Sequence, residues 1–287
     1  MPVLSLDRAS VFYDGLDHPE CVAVHPDGSV WAGGEAGQIY RLDADGTHAE
    51  EIVNTGGFVL GIAFSPDASW LAACDLKKQC VWHLDLATHA LTEFARGPED
   101  GAPFSIPNFP AFASDGTLYV SDSGAFRDVS GRVLAFDASG RGRVWHAGPF
   151  NFANGLALAP DEQALYVVCS WLPGVERVEI LEDGTAGARS EIVVLPETVP
   201  DGLAFDAEGN LYVSCYAPSR IYRVPPGGSA PEVFLDDWEA HTLGNPTNVA
   251  FGGPNFEHLF AANLGRWHLT RIEAGVRGAP LACRRTP

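Results

Sequence analysis

Six residues hold one equivalent position in a pattern that recurs along the chain: Glu20, Leu60, Asn108, Asn154, Asp201 and Thr247. Four of them carry a carboxylate or an amide oxygen, and the segments they open are otherwise apolar. Polar side chains aimed at one axis from separate segments need a common partner, because burying them unpaired is costly. Two carboxylates and two amides make an all-oxygen set of formal charge −2. Such a set suits Ca²⁺, with water or substrate completing about six to eight ligands. The absence of His and Cys at these positions argues against zinc or copper. A single Asn-Gly or Asp-Gly reads as a turn; four oxygen donors in one register read as ligands. No G-x-S-x-G elbow, H-E-x-x-H motif, phosphate-binding glycine loop or dinucleotide fingerprint competes with them. The chemistry implied is metal-assisted hydrolysis, in which a cation polarises an ester or lactone carbonyl and orients water. Asp201 is the candidate general base, or alternatively the direct nucleophile.

The elements that must position these residues are short strands. The copies read ECVAVHPDGSVWAGG, LGIAFSPDASWLAAC, NFPAFASDGTLYVSD, NGLALAPDEQALYVVC, DGLAFDAEGNLYVSC and TNVAFGGPNFEHLFAAN, at intervals of 40, 48, 46, 47 and 46 residues. Each has an alanine at its centre (Ala23, Ala63, Ala111, Ala157, Ala204 and Ala250), then a turn and a second strand. A third strand follows in every copy and a fourth in five of them. The runs are rich in Val, Ile, Tyr, Phe and Trp and bounded by Gly, Pro and Asp, which is strand and turn chemistry. Four strands at this period make one blade of a β-propeller. The sixth copy lacks its fourth strand, and the N-terminal ASVFYDG has that strand's character. The expected architecture is therefore all-β: one six-bladed propeller domain spanning 1–287, its ring closed by the N-terminal strand near Val11 to Asp14.

Composition agrees. The 287 residues are 46% hydrophobic and 19% charged, with 31 Gly and 21 Pro, enough apolar material for a core and many turns. A net charge of −19 with no basic run argues against nucleic acid or an anionic membrane as partner. The N-terminus has no secretory pattern and no apolar run approaches the ~20 residues of a membrane helix, so a cytoplasmic location is expected. The six cysteines form no CxxC pair and read as reduced core thiols, although Cys74 and Cys80 flank one hairpin and could pair.

With Glu20, Asn154-Gly155 and Asp201-Gly202 opening blades one, four and five, the whole chain resembles the gluconolactonase and regucalcin (senescence marker protein) family of six-bladed propellers. Diisopropylfluorophosphatase, the paraoxonases and the strictosidine-synthase-like propellers are more distant relatives. Pro246-Thr247-Asn248-Val249-Ala250-Phe251-Gly252-Gly253 is among the more specific stretches. The resemblance implies that Glu20, Asn154 and Asp201 bind one divalent cation at the top of the channel, with Asn108 beside it. Ca is the first choice; Zn, Mg, Mn or Fe are the alternatives.

The chain departs from that pattern where sugar would be held. An arginine two residues before the third-blade asparagine is Ile106 here, and a glutamate about eighteen residues beyond it is Phe126 by ungapped count. The first-blade Glu-Gly-Pro is Glu20-Cys21-Val22. The expected substrate is a small lactone or related ester less polar than an aldonolactone. Its expected contacts are Phe104, Ile106, Phe126, Trp171 and Trp267, with Arg266 as a candidate anchor for an anionic group. Two other readings stand beside this one: a phosphotriesterase-like hydrolase, separable by organophosphate assay, and a non-catalytic metal-binding propeller, which would not need an open pocket above its metal.

Overall fold

The computed structural model describes residues 2–228 and 230–284; residues 1, 229 and 285–287 of the expected 1–287 span lie outside the described residues. The described chain forms six four-stranded antiparallel sheets. Five are built from consecutive strands, and their innermost strands are Cys21–Val24, Val59–Phe64, Pro107–Phe112, Ala153–Leu158 and Val199–Phe205. The sixth runs outward from Pro246–Gly252 through His258–Asn263 and His268–Glu273, and its fourth strand is the N-terminal Ala9–Asp14. Successive inner strands pack side by side, and the sixth returns to the first, so the six blades close a ring.

Closure is anchored by burial as well as by the ladder. Ala9 pairs with Ile272 and Asp14 with His268. Phe12 sits edge-on to Phe260 at 4.9 Å, and Leu16 is fully buried. Removing residues 2–15 would leave His268–Glu273 as a bare edge strand and strip one large aromatic from the core. Burial of a Phe or Leu side chain is worth about 1.5–3 kcal/mol, against a total stability of about 5–15 kcal/mol for a typical domain. The expected result is a truncated chain without a cooperative melting transition in calorimetry. A melt matching that of the full chain would show that the strand does not hold the ring shut.

The blades are joined by a second repeat element. An aromatic on the second strand of one blade packs against the residue that follows the repeated alanine in the next. Trp31 meets Phe64, Trp70 meets Phe112, Tyr166 meets Phe205 and Tyr212 meets Phe251, all edge-to-face at 4.9–5.8 Å. Such pairs contribute about 0.5–1.5 kcal/mol beyond their area, and here they recur at four of the six blade junctions.

All six cysteines are free. Cys74 and Cys80 do not pair, because Cys74 lies opposite Val81 and Asp75 opposite Cys80. Strand alternation therefore points the two thiols to opposite faces of the sheet. Among the described residues no helix is long and apolar enough to cross a membrane.

Candidate metal centre at the channel mouth

The ring residues do not all precede their strands. Glu20 does, donating its backbone N–H to the Gly33 carbonyl at 2.9 Å. The other five lie within the first residues of the inner strand, and the ladder slips at each of them. The register shifts fall between Val59 and Gly61, Pro107 and Pro110, Ala153 and Leu156, Pro200 and Leu203, and Pro246 and Asn248. A bulge bends its strand and re-aims the side chain of the extra residue, so one device is used in five blades at the ring position.

Two glycines let the ring contract. A Cβ on Gly155 would lie 2.5 Å from the Asp201 carbonyl oxygen, and one on Gly202 would lie 2.6 Å from that of Thr247. Only glycine permits that approach of neighbouring inner strands. Hydroxyls then orient the ring. Asn108 donates its Nδ2 to Ser123 Oγ at 3.0 Å and Asn154 donates its own to Ser170 Oγ at 3.1 Å. Ser123 and Ser170 pass the chain of bonds on, to the carbonyls of Ala153 at 2.7 Å and Pro200 at 2.8 Å in the following blade. Thr247 donates to the Glu20 carbonyl at 2.7 Å, linking blade six to blade one. With their amide nitrogens occupied, Asn108 and Asn154 have Oδ1 available as an acceptor or ligand.

The carboxylates carry the electrostatic signature. Burial, then the nearby Asp201, holds the Glu20 carboxyl well above the usual carboxylate range, with Glu35 adding to the effect. Burial pushes Asp201 up to about 8, opposed by a hydrogen bond from the Asn154 side chain. Glu20 Oε2 is buried without a hydrogen-bond partner. The fold thus brings Glu20, Asp201 and Asn154 together. Asn108 keeps the equivalent register position in blade three, and its side chain is almost fully buried. Two repelling carboxylates, one with an orphaned oxygen, beside preset amide oxygens fit a hard divalent cation, which would let both acids ionise. Among the described residues no group of three or more His, Cys, Asp or Glu is placed to hold a metal ion; the candidate set is the oxygen ring of two carboxylates and two amides.

The expected substrate contacts divide. Phe126, 64% exposed, packs edge-to-face on Trp171 at 5.5 Å and on Phe152 at 5.8 Å. The Arg127 guanidinium lies over both Phe126 and Trp171. Trp267 is also exposed but lies elsewhere on the rim, against His18 at 4.9 Å. Ile106 is half-buried, with its backbone N–H held by Asp122 at 2.8 Å. Phe104 is a correction: at 2% exposure it belongs to the core between blades two and three, against Phe136, and offers no surface to a substrate. Arg266 is tied to the loop before blade six, donating to the Ala240 carbonyl at 2.7 Å.

Residues that sequence reasoning missed also stand at the mouth. His18 lies between Asp17 at 3.1 Å and Glu35 at 3.6 Å, two residues before Glu20. Phe152 adopts a positive φ of 63° and completes the aromatic cluster. Trp238, 90% exposed, is carried by the loop entering blade six. Position two residues before a ring residue was the available signal for His18 and Phe152; nothing in the sequence marked Trp238.

Residues 76–263 match the family model described as the SMP-30/gluconolactonase/LRE-like region, and residues 11–42 match the strictosidine synthase-like N-terminal model. The chain is 27% identical over 224 residues to protein strictosidine synthase-like 4 of Arabidopsis thaliana, covering 69% of this chain and 56% of that protein. It is 33% identical over 133 residues to 6-deoxy-6-sulfogluconolactonase of Pseudomonas putida, covering 45% and 44%. To regucalcin of Xenopus laevis it is 29% identical over 125 residues, covering 42% and 40%. The chain spans about half the length of the curated relatives it matches. Among solved structures, a gluconolactonase from Xanthomonas campestris superposes with a TM-score of 0.78 at 20% identity, covering 92% of this chain and 89% of that one. The calcium-binding protein regucalcin from Agrobacterium tumefaciens superposes with a TM-score of 0.72 at 18% identity, covering 96% and 99%. At those identities the likeness is one of fold.

Proposed function

We propose, since the chain belongs to the SMP-30/gluconolactonase/LRE-like family, that it is a divalent-cation-dependent hydrolase opening a lactone or cleaving a related ester. The observation that carries this reading is the meeting of Glu20, Asp201 and Asn154 at the channel mouth, with Glu20 Oε2 buried and unpartnered. Glu20, Asn108, Asn154 and Asp201 would hold the ion, with Ca²⁺ the best match to an all-oxygen set. When bound, the cation supplies Lewis-acid polarisation of the substrate carbonyl and a site for charge that develops on its oxygen.

The chain's own residues supply the rest. Asp201, as a carboxylate, accepts a proton from the water that adds to the carbonyl carbon, and the same proton is then available to the leaving alkoxide as the ring C–O bond breaks. Ser123 and Ser170 hold the two amides in one rotamer, so that the oxygens need not reorganise during the reaction. The exposed Phe126 and Trp267, with the half-buried Trp171 against Phe126, offer apolar surface to the non-reacting part of the substrate. Their exposure favours an open, substrate-receiving mouth over a purely structural metal site.

The test is a lactone and ester panel run on chelated protein and on the same protein resupplied with Ca²⁺. Activity should disappear with chelation and return with the metal. Binding to the folded state alone stabilises by about 2.7 kcal/mol at a hundredfold excess over Kd, so the melting temperature should rise by roughly 5 °C or more. Full activity in chelated protein would end the metal-dependent reading. A metal-induced rise in melting temperature with no hydrolysis anywhere on the panel would point to the non-catalytic propeller.

A further inference from the structure

The six repeated alanines do nothing at the mouth, yet they mark the deeper part of the channel. All six line one cavity of about 130 Å³ that begins just below the ring residues, at Asn248, and runs down the channel. Its wall is otherwise mostly aliphatic and aromatic, including Phe109, Leu156 and Phe251, with Glu162, Asn248 and Cys283 as its polar members. Several wall residues on the inner strands, among them Ala63, Ala157 and Ala204, remain partly accessible although they face the molecule's axis. Alanine at these positions therefore leaves the axis hollow, where a larger side chain from each blade would fill it.

The C-terminal segment closes the lower end. The Ala279 N–H donates to the Phe205 carbonyl at 2.9 Å and the Gly278 N–H to that of Phe256 at 2.8 Å. The segment then crosses to blade one, where Arg284 donates to the His25 carbonyl at 2.7 Å, while its guanidinium covers Phe256 of blade six. Residues 279–283 form part of the cavity wall, and Leu281, 47% exposed, marks its rim.

One polar group faces this apolar space without a partner. Asn248 is 2% exposed and lines the cavity. Its Oδ1 accepts the Val22 N–H at 3.1 Å, while its Nδ2 has no hydrogen-bond partner. A buried amide donor left unmade is costly, and the cavity is the space from which an acceptor can reach it.

We propose that this lower channel is a second binding site, taking a small apolar molecule with a single hydrogen-bond acceptor, such as a cyclic ketone, whose oxygen is received by Asn248 Nδ2. The size is of the right order: an apolar protein cavity of about 150 Å³ takes up benzene, and this one, of about 130 Å³, has an exposed residue, Leu281, at its rim where a slightly larger ring can extend. The site lies below the mouth, with Asn248 at its upper end beside Thr247 and Gly202, and does not rest on the hydrolase reading.

The probes are cyclohexanone and methylenecyclohexane, which share a shape and differ in the acceptor. Crystals of the whole protein exposed to each should show cyclohexanone in the channel with its oxygen on Asn248. In ligand-observed NMR titrations cyclohexanone should bind roughly three- to tenfold tighter than the hydrocarbon, the worth of one hydrogen bond. Asn248→Leu should erase that ratio, and Ala204→Leu or Ala157→Leu should weaken both ligands by at least about tenfold by filling the cavity. If these variants do not fold, the wild-type crystals and the two-ligand ratio still decide. A channel holding only water after exposure, ketone seated solely at the mouth, or equal affinity for the two probes would each overturn the proposal.

Discussion

Asp201→Asn is expected to lower metal-dependent hydrolysis by about 10²–10⁴-fold at saturating Ca²⁺, the usual range for losing a general base. Asparagine is nearly isosteric and retains an oxygen donor, so the substitution removes the proton acceptor and one negative charge while leaving the ring's packing in place. That packing is tight: the Asp201 backbone lies where a Cβ on Gly155 would be, and larger changes would spread blades four and five. Cation affinity should fall as well, since one formal charge of two leaves the set, which is why the comparison is made at saturation. Asp201→Ala should abolish activity outright. The Glu20 carboxyl, held high partly by Asp201, loses that repulsion in either variant and moves back toward the ordinary carboxylate range. Hydrolysis in H₂¹⁸O under single-turnover conditions separates the two roles of Asp201: label appears in the carboxylate of Asp201 only if it attacks directly. An Asp201→Asn enzyme within threefold of the parent at saturating metal would remove Asp201 from the chemistry.

Much of this was legible because a propeller writes its architecture six times. The alanine register and the missing fourth strand of the last blade each have a counterpart in the structure, in the hollow axis and the pairing of Ala9–Asp14 with His268–Glu273. Repetition turns a weak local signal into a strong one. What stayed hidden depends on position within a loop or on side-chain direction. Phe104 lies in a loop near the mouth, and from the sequence alone it read like Phe126; only the turn of the backbone after Arg96 sends it into the core, where its N–H meets the Arg96 carbonyl at 2.9 Å. The bulges were not legible either, because an extra residue in a strand leaves the apolar alternation almost intact over six residues. His18 and Phe152 sit at matching offsets before Glu20 and Asn154, so the repeat register marks their positions, but the offset alone gives no role to two such different residue types.

A γ- or δ-lactone bearing an alkyl or aryl group is expected to show kcat/KM at least about a hundredfold above that for gluconolactone. Where the family pattern has an arginine and a glutamate, this chain has Ile106 and Phe126, and neither side chain can hydrogen-bond a ring hydroxyl. A hydroxyl desolvated without a partner costs on the order of 1–3 kcal/mol. Two such losses at 1.4 kcal/mol per tenfold amount to roughly two orders of magnitude or more. With Phe104 withdrawn into the core, the apolar surface on offer is the Phe126, Phe152 and Trp171 cluster on one side of the mouth and Trp267 on the other. An aryl substituent can bury against the first of these at no hydrogen-bonding cost. Phe126→Ala should therefore raise KM for the aryl lactone while leaving kcat near its parent value, because the ring contacts a part of the substrate that does not react. Restoring the polar pair with Ile106→Arg and Phe126→Glu should narrow the preference from the other direction. Each rate must be corrected for spontaneous ring opening, which is fast for gluconolactone. A clear preference for gluconolactone in the parent enzyme would mean that other mouth groups, His18, Glu35 and Arg127 among them, hold the sugar instead, and it would overturn the apolar-substrate reading while leaving the metal set untouched.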